Sequence, residues 1–205
     1  MPTSRTLFCF GVAVLLSAAL APAIIATDLP SGDTLTRLQA AYNTSNNAFD
    51  RYQAMALRAD LDGYAQVASL FRSVARSEQI LYTACGDAIK QVGATPQTTP
   101  EIPDIRSTKE NLENSIQATD ALDRDPSLLV YGKRAKTEGN PKVGKIFEWI
   151  KDAESANLRL FRGTVKNMEQ MKVAGTGYFV CGLTGFVSTT LEQAHCIGGD
   201  WERVK

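Results

Sequence analysis

The chain has 205 residues with 22 basic and 22 acidic side chains, so its formal net charge at pH 7 is zero. No stripe of basic residues is present that could neutralise a row of phosphates, which argues against nucleic acid as a partner. The length is sufficient for one medium-sized domain with its own hydrophobic core and a small additional lobe.

The first 26 residues have the pattern of an export segment. Arg5 precedes an uncharged run over residues 7–26, and small residues follow near the end of that run. This pattern predicts a signal peptide, but the run is also just long enough to cross a bilayer. Residues 1–26 are therefore either a signal peptide or an N-terminal membrane anchor. In both cases we expect the rest of the chain to be extracytoplasmic, periplasmic or secreted, with the membrane contacted only through this segment.

Two long stretches with helical periodicity follow. The first begins near Asp33 and stops before Asp62, and its seam comprises Leu35, Leu38, Tyr42, Ser45, Phe49, Tyr52 and Ala56. The second continues to about Gln91, and its seam comprises Val67, Phe71, Val74, Glu78, Leu81 and Cys85. Glu78 is thus predicted to lie among apolar residues. A carboxylate there is unfavourable unless it is paired, metal-bound or protonated.

Residues 93–104 are rich in proline and threonine and lack periodicity, which predicts a loop long enough to cross the length of a bundle. Ser107 and Glu110 then form a capping box that opens a third helix. Its inward positions are predicted to be Leu112, Ile116 or Ser115, Thr119 and Leu122. Pro126 should bend or interrupt this helix because it lacks a backbone N–H.

The fourth helix is predicted to begin at Asn140, with Pro141 in its first turn. Its seam comprises Val143, Phe147, Ile150, Glu154, Asn157, Phe161, Val165 or Thr164, and Met168. A second carboxylate is therefore placed inside a helical seam, and no cation lies on any of the four. Two helices on each side of a long crossover predict a mainly α protein with a ferritin-like four-helix bundle over residues 33–172.

The pattern changes after the bundle. Residues 178–181 and 185–187 are short and β-prone, which predicts a separate small β-rich lobe over residues 176–205. Beyond Cys9 in the leader, the cysteines are Cys85, Cys181 and Cys196. An oxidising compartment would allow one pair of them to form a disulfide.

The span 34–204 resembles the rubrerythrin family. The resemblance is carried, in order, by residues 65–72, 75–78, 108–112, 136–140, 153–154 and 178–181. It implies a ferritin-like bundle that in the family holds two irons, followed by a rubredoxin-like tail that holds a third. Its di-iron site resembles the general bundle pattern, in which a glutamate from each of two helices joins a Glu-x-x-His from each of the other two.

Matched position by position, this chain is a divergent member that lacks most of those ligands. Only Glu78 and Glu154 remain as residual metal-ligand positions. The other family ligand positions fall on Ser45, Leu81, Thr119, Leu122 and Asn157. Asp120 and Asp123 stand one residue late, which turns them about 100° off the seam, so we expect them to be solvated. No cofactor is expected, and iron held weakly by the two glutamates is the alternative.

Without metal, the two carboxyls are predicted to share one proton, because burial and mutual repulsion both raise carboxyl pKa values. Hydrogen-bond partners for this pair are expected from a polar cluster on the four seams, namely Ser45, Tyr52, Thr119 and Asn157.

The tail departs from the family in the same way. A rubredoxin iron needs four thiolates from two Cys-x-x-Cys knuckles, but this chain offers only Cys181 and Cys196, with Thr184 and Gly199 at the other two positions. Because the resemblance implies that the knuckles face each other, Cys181 and Cys196 are predicted to form a disulfide. His195 is expected to lie on the surface.

Two functions remain. The ligand count favours an exported, non-catalytic structural or binding subunit, present as a homodimer or within a membrane-associated assembly. The alternative, implied by the resemblance, is a non-haem iron oxidoreductase that reduces hydrogen peroxide at an atypical metal site. Di-iron chemistry needs two metals at a fixed separation with open positions, which favours the catalytically inactive reading.

Overall fold

The computed structural model describes residues 32–175 and 177–205. Five α-helices are followed by a small antiparallel sheet, so the predicted fold class is confirmed. The helices are α1 (Gly32–Leu61), α2 (Ala65–Gln91), α3 (Thr108–Arg124), α4 (Ser127–Thr137) and α5 (Pro141–Lys166). The strands are β1 (Tyr178–Cys181), β2 (Val187–Ser188) and β3 (Trp201–Val204), with 3₁₀ turns at Met168–Lys172 and Gln193–His195. The predicted leader at residues 1–26 lies outside the described residues.

The helix boundaries follow local chemistry. Gly63 takes a positive φ of 79° in the tight turn between α1 and α2. Ser107 caps α3, and Glu110 reaches back to the backbone of Ser107, which completes the predicted capping box. Pro126 separates α3 from α4, so the third predicted helix is two helices. Pro141 occupies the first turn of α5, although Asn140 makes no side-chain capping bond.

The crossover between α2 and α3 is held by amide side chains of α1. Gln39 donates to the carbonyl of Thr95 (2.8 Å) and accepts from the N–H of Gln97 (3.1 Å). One turn later, Asn43 accepts from the N–H of Thr99 at 2.6 Å. After a further turn, Asn47 donates to the carbonyl of the same threonine and accepts from the N–H of Glu101. These bonds satisfy backbone groups of a segment that has no regular structure of its own.

The core of the bundle continues into the C-terminal sheet. Strand order is β2-β1-β3, with both pairs antiparallel. Buried Tyr178, Val180 and Val187 belong to the same hydrophobic cluster as Val67 and Phe71 of α2. The tail is therefore docked on the bundle rather than separate from it. Strand β3 was not predicted, and the second predicted strand lies at Val187–Ser188 rather than at residues 185–187.

Ser77 is the central contact between α2 and the tail, because its hydroxyl donates to the carbonyl of Gly185. Arg76 adds an ion pair with Glu202 of β3 at 2.8 Å. Gly185 has a φ of +71°, and a Cβ there would lie 3.0 Å from the carbonyl oxygen of Ser77. The sheet can approach α2 this closely because residue 185 has no side chain.

Within residues 32–175 and 177–205, none of the helices is long and apolar enough to cross a membrane.

We predict that Gly185→Ala lowers the free energy of unfolding by about 1–3 kcal/mol, because alanine is strained at this φ and would press on α2. Gly163→Ala is the matched control, since a Cβ at this position of α5 meets nothing within 4 Å. We expect it to raise stability by about 0.5–1 kcal/mol. Urea unfolding monitored by circular dichroism measures both changes, and equal effects of the two variants would contradict the docking described here.

Candidate functional site

Two carboxyl groups meet in the centre of the bundle. Glu78 of α2 is 2% exposed and Glu154 of α5 is 8% exposed. Their side chains are hydrogen-bonded to each other. A hydrogen bond between two carboxyls requires a proton on one of them, because a carboxylate can only accept.

The environment keeps that proton in place. Burial, together with the charge of Glu154, raises the pKa of Glu78 well above its usual value. Burial also raises the pKa of Glu154 to about 7, while the hydrogen bond from Glu78 acts in the opposite direction. The two groups titrate as a coupled pair. Because both pKa values are raised, the pair holds at least one proton near neutral pH.

Two side chains of α1 stabilise the remaining charge. Ser45 is buried and its hydroxyl hydrogen-bonds to Glu78, which lowers the pKa of that carboxyl. The Arg51 guanidinium acts in the same direction on Glu78 and Glu154 by its positive charge. Arg51 was missed from the sequence because it is not on the seam of α1. Its long side chain reaches back over the Tyr52 ring, 5.7 Å from the ring centre.

Tyr52 and Thr119 form the next part of the cluster. Both are buried, and their side chains are hydrogen-bonded to each other. Burial, followed by the charges of Glu154 and Glu78, raises the pKa of Tyr52. The phenol therefore stays neutral at any physiological pH. Its ring lies 6.0 Å from that of Phe71, so this residue is both a core residue and a polar one.

Asn157 differs from the expectation. It is 1% exposed, yet neither its amide nitrogen nor its amide oxygen has a hydrogen-bond partner among the described residues. It was predicted to bond to the carboxyl pair, but the pair satisfies itself through Ser45 and its own mutual bond. An unpartnered buried amide costs about 1–3 kcal/mol.

The two off-seam aspartates of α3 are ion-paired with α5 rather than simply solvated. Asp120 pairs with Arg162 at 2.6 Å, and Asp123 pairs with Lys151 at 2.9 Å and with the hydroxyl of Ser155. These bonds lower the pKa of Asp123, and the charge of Asp123 contributes to raising the pKa of Glu154. The aspartates fasten α3 to α5 and do not enter the polar cluster. Leu122, predicted to face inward, is 37% exposed.

The donor set does not fit a di-iron centre. Iron at the family's positions would need imidazoles three residues after Glu78 and Glu154, where this chain has fully buried Leu81 and the unpartnered Asn157. The hydroxyl of Thr119 is engaged with Tyr52. Among the described residues, no group of three or more His, Cys, Asp or Glu side chains is arranged to hold a metal ion. Two carboxyls that bond to each other are poor ligands for a redox metal.

The tail contains the disulfide predicted from the family resemblance. Cys181 and Cys196 are bonded, with their Cα atoms 5.6 Å apart. A Cβ on Gly199 would lie 3.2 Å or less from both sulfur atoms, so the backbone of this residue packs directly on the bond. Thr184 donates to the carbonyl of His195. Two further cysteines would be needed to complete the iron knuckles. At their positions the chain has Gly199, which packs on the disulfide, and Thr184, whose hydroxyl holds the loop at His195.

Within the described part of the chain, the third cysteine and the histidine are accounted for by packing. Cys85 is fully buried, and burial followed by the charge of Glu78 raises the pKa of its thiol to about 12. It behaves as a small apolar residue. His195 is exposed, as predicted, and its ring stacks on that of Phe186 at 3.9 Å.

We predict that the double variant Glu78→Gln with Glu154→Gln is as stable as the native chain at low pH and more stable at neutral pH. A folded-state pKa that is raised stabilises the protein below the unfolded value of 4.5, and this contribution is lost as pH rises through the folded value, about 7 for Glu154. The difference should grow to on the order of 3 kcal/mol between about pH 4 and pH 8.

Urea midpoints across that pH range measure this effect. Glu101→Gln, on an exposed carboxylate of the crossover, is the control and should show a difference that does not grow with pH. A double variant whose advantage is constant with pH would mean that the pair does not carry a buried proton.

Comparison with known proteins shows the family. A family model for rubrerythrin matches residues 37–165, from the first helix to the last. Among solved structures, nigerythrin in its fully reduced state has a TM-score of 0.67 and 24% identity, with 76% of each chain covered. The bacterioferritin BfrA of Mycobacterium tuberculosis has a TM-score of 0.59 and 17% identity, covering 68% of this chain and 87% of that one.

The bacterioferritin of Desulfovibrio desulfuricans has a TM-score of 0.56 and 18% identity, covering 71% of this chain and 94% of that one. These similarities establish a shared ferritin-like fold. No match was found among curated proteins. Because the family model spans all five helices, the chain belongs to the rubrerythrin family.

Proposed function

We propose that this protein is an exported member of the rubrerythrin family that has no metal-dependent redox activity and acts as a structural or binding subunit. The observation that carries the proposal is the direct hydrogen bond between Glu78 and Glu154. The two carboxyls satisfy each other in the position where the family would hold metal. The bundle then keeps its shape without a metal, and its function passes to its surfaces and clefts.

Two of the similar solved structures contain iron. Nigerythrin has been described in an all-ferrous state, and the Desulfovibrio desulfuricans bacterioferritin contains a di-iron site. This chain shares their fold but offers two carboxyls and no imidazole in the bundle core. Electron delivery by a tail iron would also need thiolates that are here tied in a disulfide. Two separate parts of the family's redox chemistry thus lack their usual ligands in this chain, which supports the proposal.

The second candidate remains an iron-dependent reduction of hydrogen peroxide. Family membership and the retention of Glu78 and Glu154 favour it. It would require iron to displace the shared proton and to find its other ligands in solvent. Metal content separates the two proposals directly.

We predict that the purified chain contains far less than one iron per molecule and that a chelator leaves its melting temperature unchanged. The matched variant Leu81→His with Asn157→His supplies two Glu-x-x-His motifs on α2 and α5. We expect Co²⁺ or Fe²⁺ to raise the melting temperature of this variant by several degrees and that of the native chain not at all. Stoichiometric iron in the native chain, lost in Glu78→Gln with Glu154→Gln, would overturn the proposal and favour the enzyme.

Export is supported by two features. The uncharged run over residues 7–26 has the pattern of a signal peptide or anchor. The Cys181–Cys196 disulfide is of the kind that persists in oxidising compartments. We propose an extracytoplasmic location, with the mature chain present as a homodimer or in an assembly at the membrane.

We predict that fractionation of cells expressing the full chain places the protein outside the cytoplasm. After alkylation under denaturing conditions, Cys85 should be labelled, whereas Cys181 and Cys196 should be labelled only after reduction. Mass spectrometry of the labelled peptides measures this. A cytoplasmic protein in which Cys85, Cys181 and Cys196 are all labelled without reduction would contradict the proposed location.

A further inference from the structure

We propose that the cleft between α1, α4 and α5 binds a small organic ammonium compound, with its apolar body on the leucine-lined walls and its charged head at the buried carboxyl of Glu154. This inference rests on the proposed function and gives the binding subunit a class of ligand. It depends on the juxtaposition of an apolar cleft and the metal-free carboxyl pair.

The cleft encloses about 180 Å³. Its walls are mostly apolar and include Ala40, Ala41, Leu122, Leu128, Phe147 and Ile150. An engineered apolar cavity of about 150 Å³ accommodates benzene. The space therefore suits a six-membered ring with a head group of one or two further atoms.

The interruption at Pro126 opens this cleft. Helix α1 packs mainly against α2, and α3 packs mainly against α5, so α1 and the α3–α4 junction are not closely packed together. Leu122 stands at the end of α3 and is 37% exposed on the wall of the cleft. A large apolar side chain that borders a cavity is the environment that favours an apolar ligand.

The polar groups of the cleft differ in their burial. Glu154 and Ser45 are both nine-tenths or more buried and line the inner part. Asp125 is among the lining residues, and its bond from the N–H of Ser127 lowers the pKa of its carboxyl. The acidic groups of the lining are thus Glu154 and Asp125.

The basic residue of the lining is already engaged. Arg37 pairs with Asp33 at 3.5 Å and lies over the Tyr131 ring, 4.8 Å from its centre. Of the cations that influence Glu154 from outside the cleft, Arg51 borders a different cavity with Tyr52, and Lys151 is bonded to Asp123. An incoming ammonium would therefore meet an acceptor-rich inner end, and charge complementarity favours a cation over an anion.

The experiment uses three probes with the same ring and different heads, namely benzylamine, benzyl alcohol and benzoate. Isothermal titration calorimetry on the full chain at neutral pH should give benzylamine at least about a tenfold higher affinity than benzyl alcohol, with no binding of benzoate. Glu154→Gln should lower the benzylamine affinity at least about tenfold and change the benzyl alcohol affinity little. Leu128→Trp, which fills the cleft, should abolish binding of both.

Two controls keep the outcome decisive. Glu202→Gln removes an exposed carboxylate of β3 and should leave benzylamine binding unchanged, and circular dichroism should show that every variant is folded. Equal affinity for the three probes, no benzylamine binding at millimolar concentration, or unchanged binding in Glu154→Gln would overturn the inference. Failure of the proposed function has a different signature, stoichiometric iron, so a metal-free chain that does not bind benzylamine would refute this inference alone.

Discussion

A hydrogen bond between two buried carboxyl groups is the interaction on which the centre of this protein depends. Glu78 and Glu154 would repel each other if both were charged, and low polarity around them makes that repulsion expensive. Sharing a proton removes one of the two charges, while Ser45 and Arg51 stabilise the other. Burial is the main cause of the raised pKa values of Tyr52 and Cys85, and the charge of the carboxyl pair adds to it.

Helix α2 links this centre to the tail through consecutive residues. Glu78 bonds to Glu154 of α5, and the preceding Ser77 bonds to the backbone carbonyl of Gly185, in the turn between β1 and β2. The tail in turn is closed by the Cys181–Cys196 disulfide, which joins the end of β1 to the segment before β3. A covalent bond and a shared proton therefore stand at the two positions where the family pattern would place metals.

Much of this arrangement could be predicted from the sequence. Periodicity and capping residues located the helices and placed Glu78 and Glu154 in their seams, and the family resemblance located the disulfide. The features that the sequence did not predict depend on the length of side chains and on contacts between residues far apart in the chain. Arg51 influences the site through a long side chain that no seam pattern includes. Asn157 has no hydrogen-bond partner among the described residues, which its place on the seam did not indicate. Strand β3 pairs with β1, which lies about 20 residues earlier in the chain. The residues of β3 are partly exposed, so the sequence shows no clear alternation of apolar and polar residues there.

The amide side chains of α1 are spaced to match the crossover residues that they bind. Successive amides four residues apart on a helix are spaced by about 6 Å, and two residues of extended chain span about 6.6 Å. Gln39, Asn43 and Asn47 can therefore meet alternate residues from Thr95 to Glu101 without strain in either element. Because the two spacings match, inserting one residue into the crossover would shift every later residue away from its amide partner. The composition of the crossover nevertheless resembles that of an ordinary loop, in which length usually varies freely.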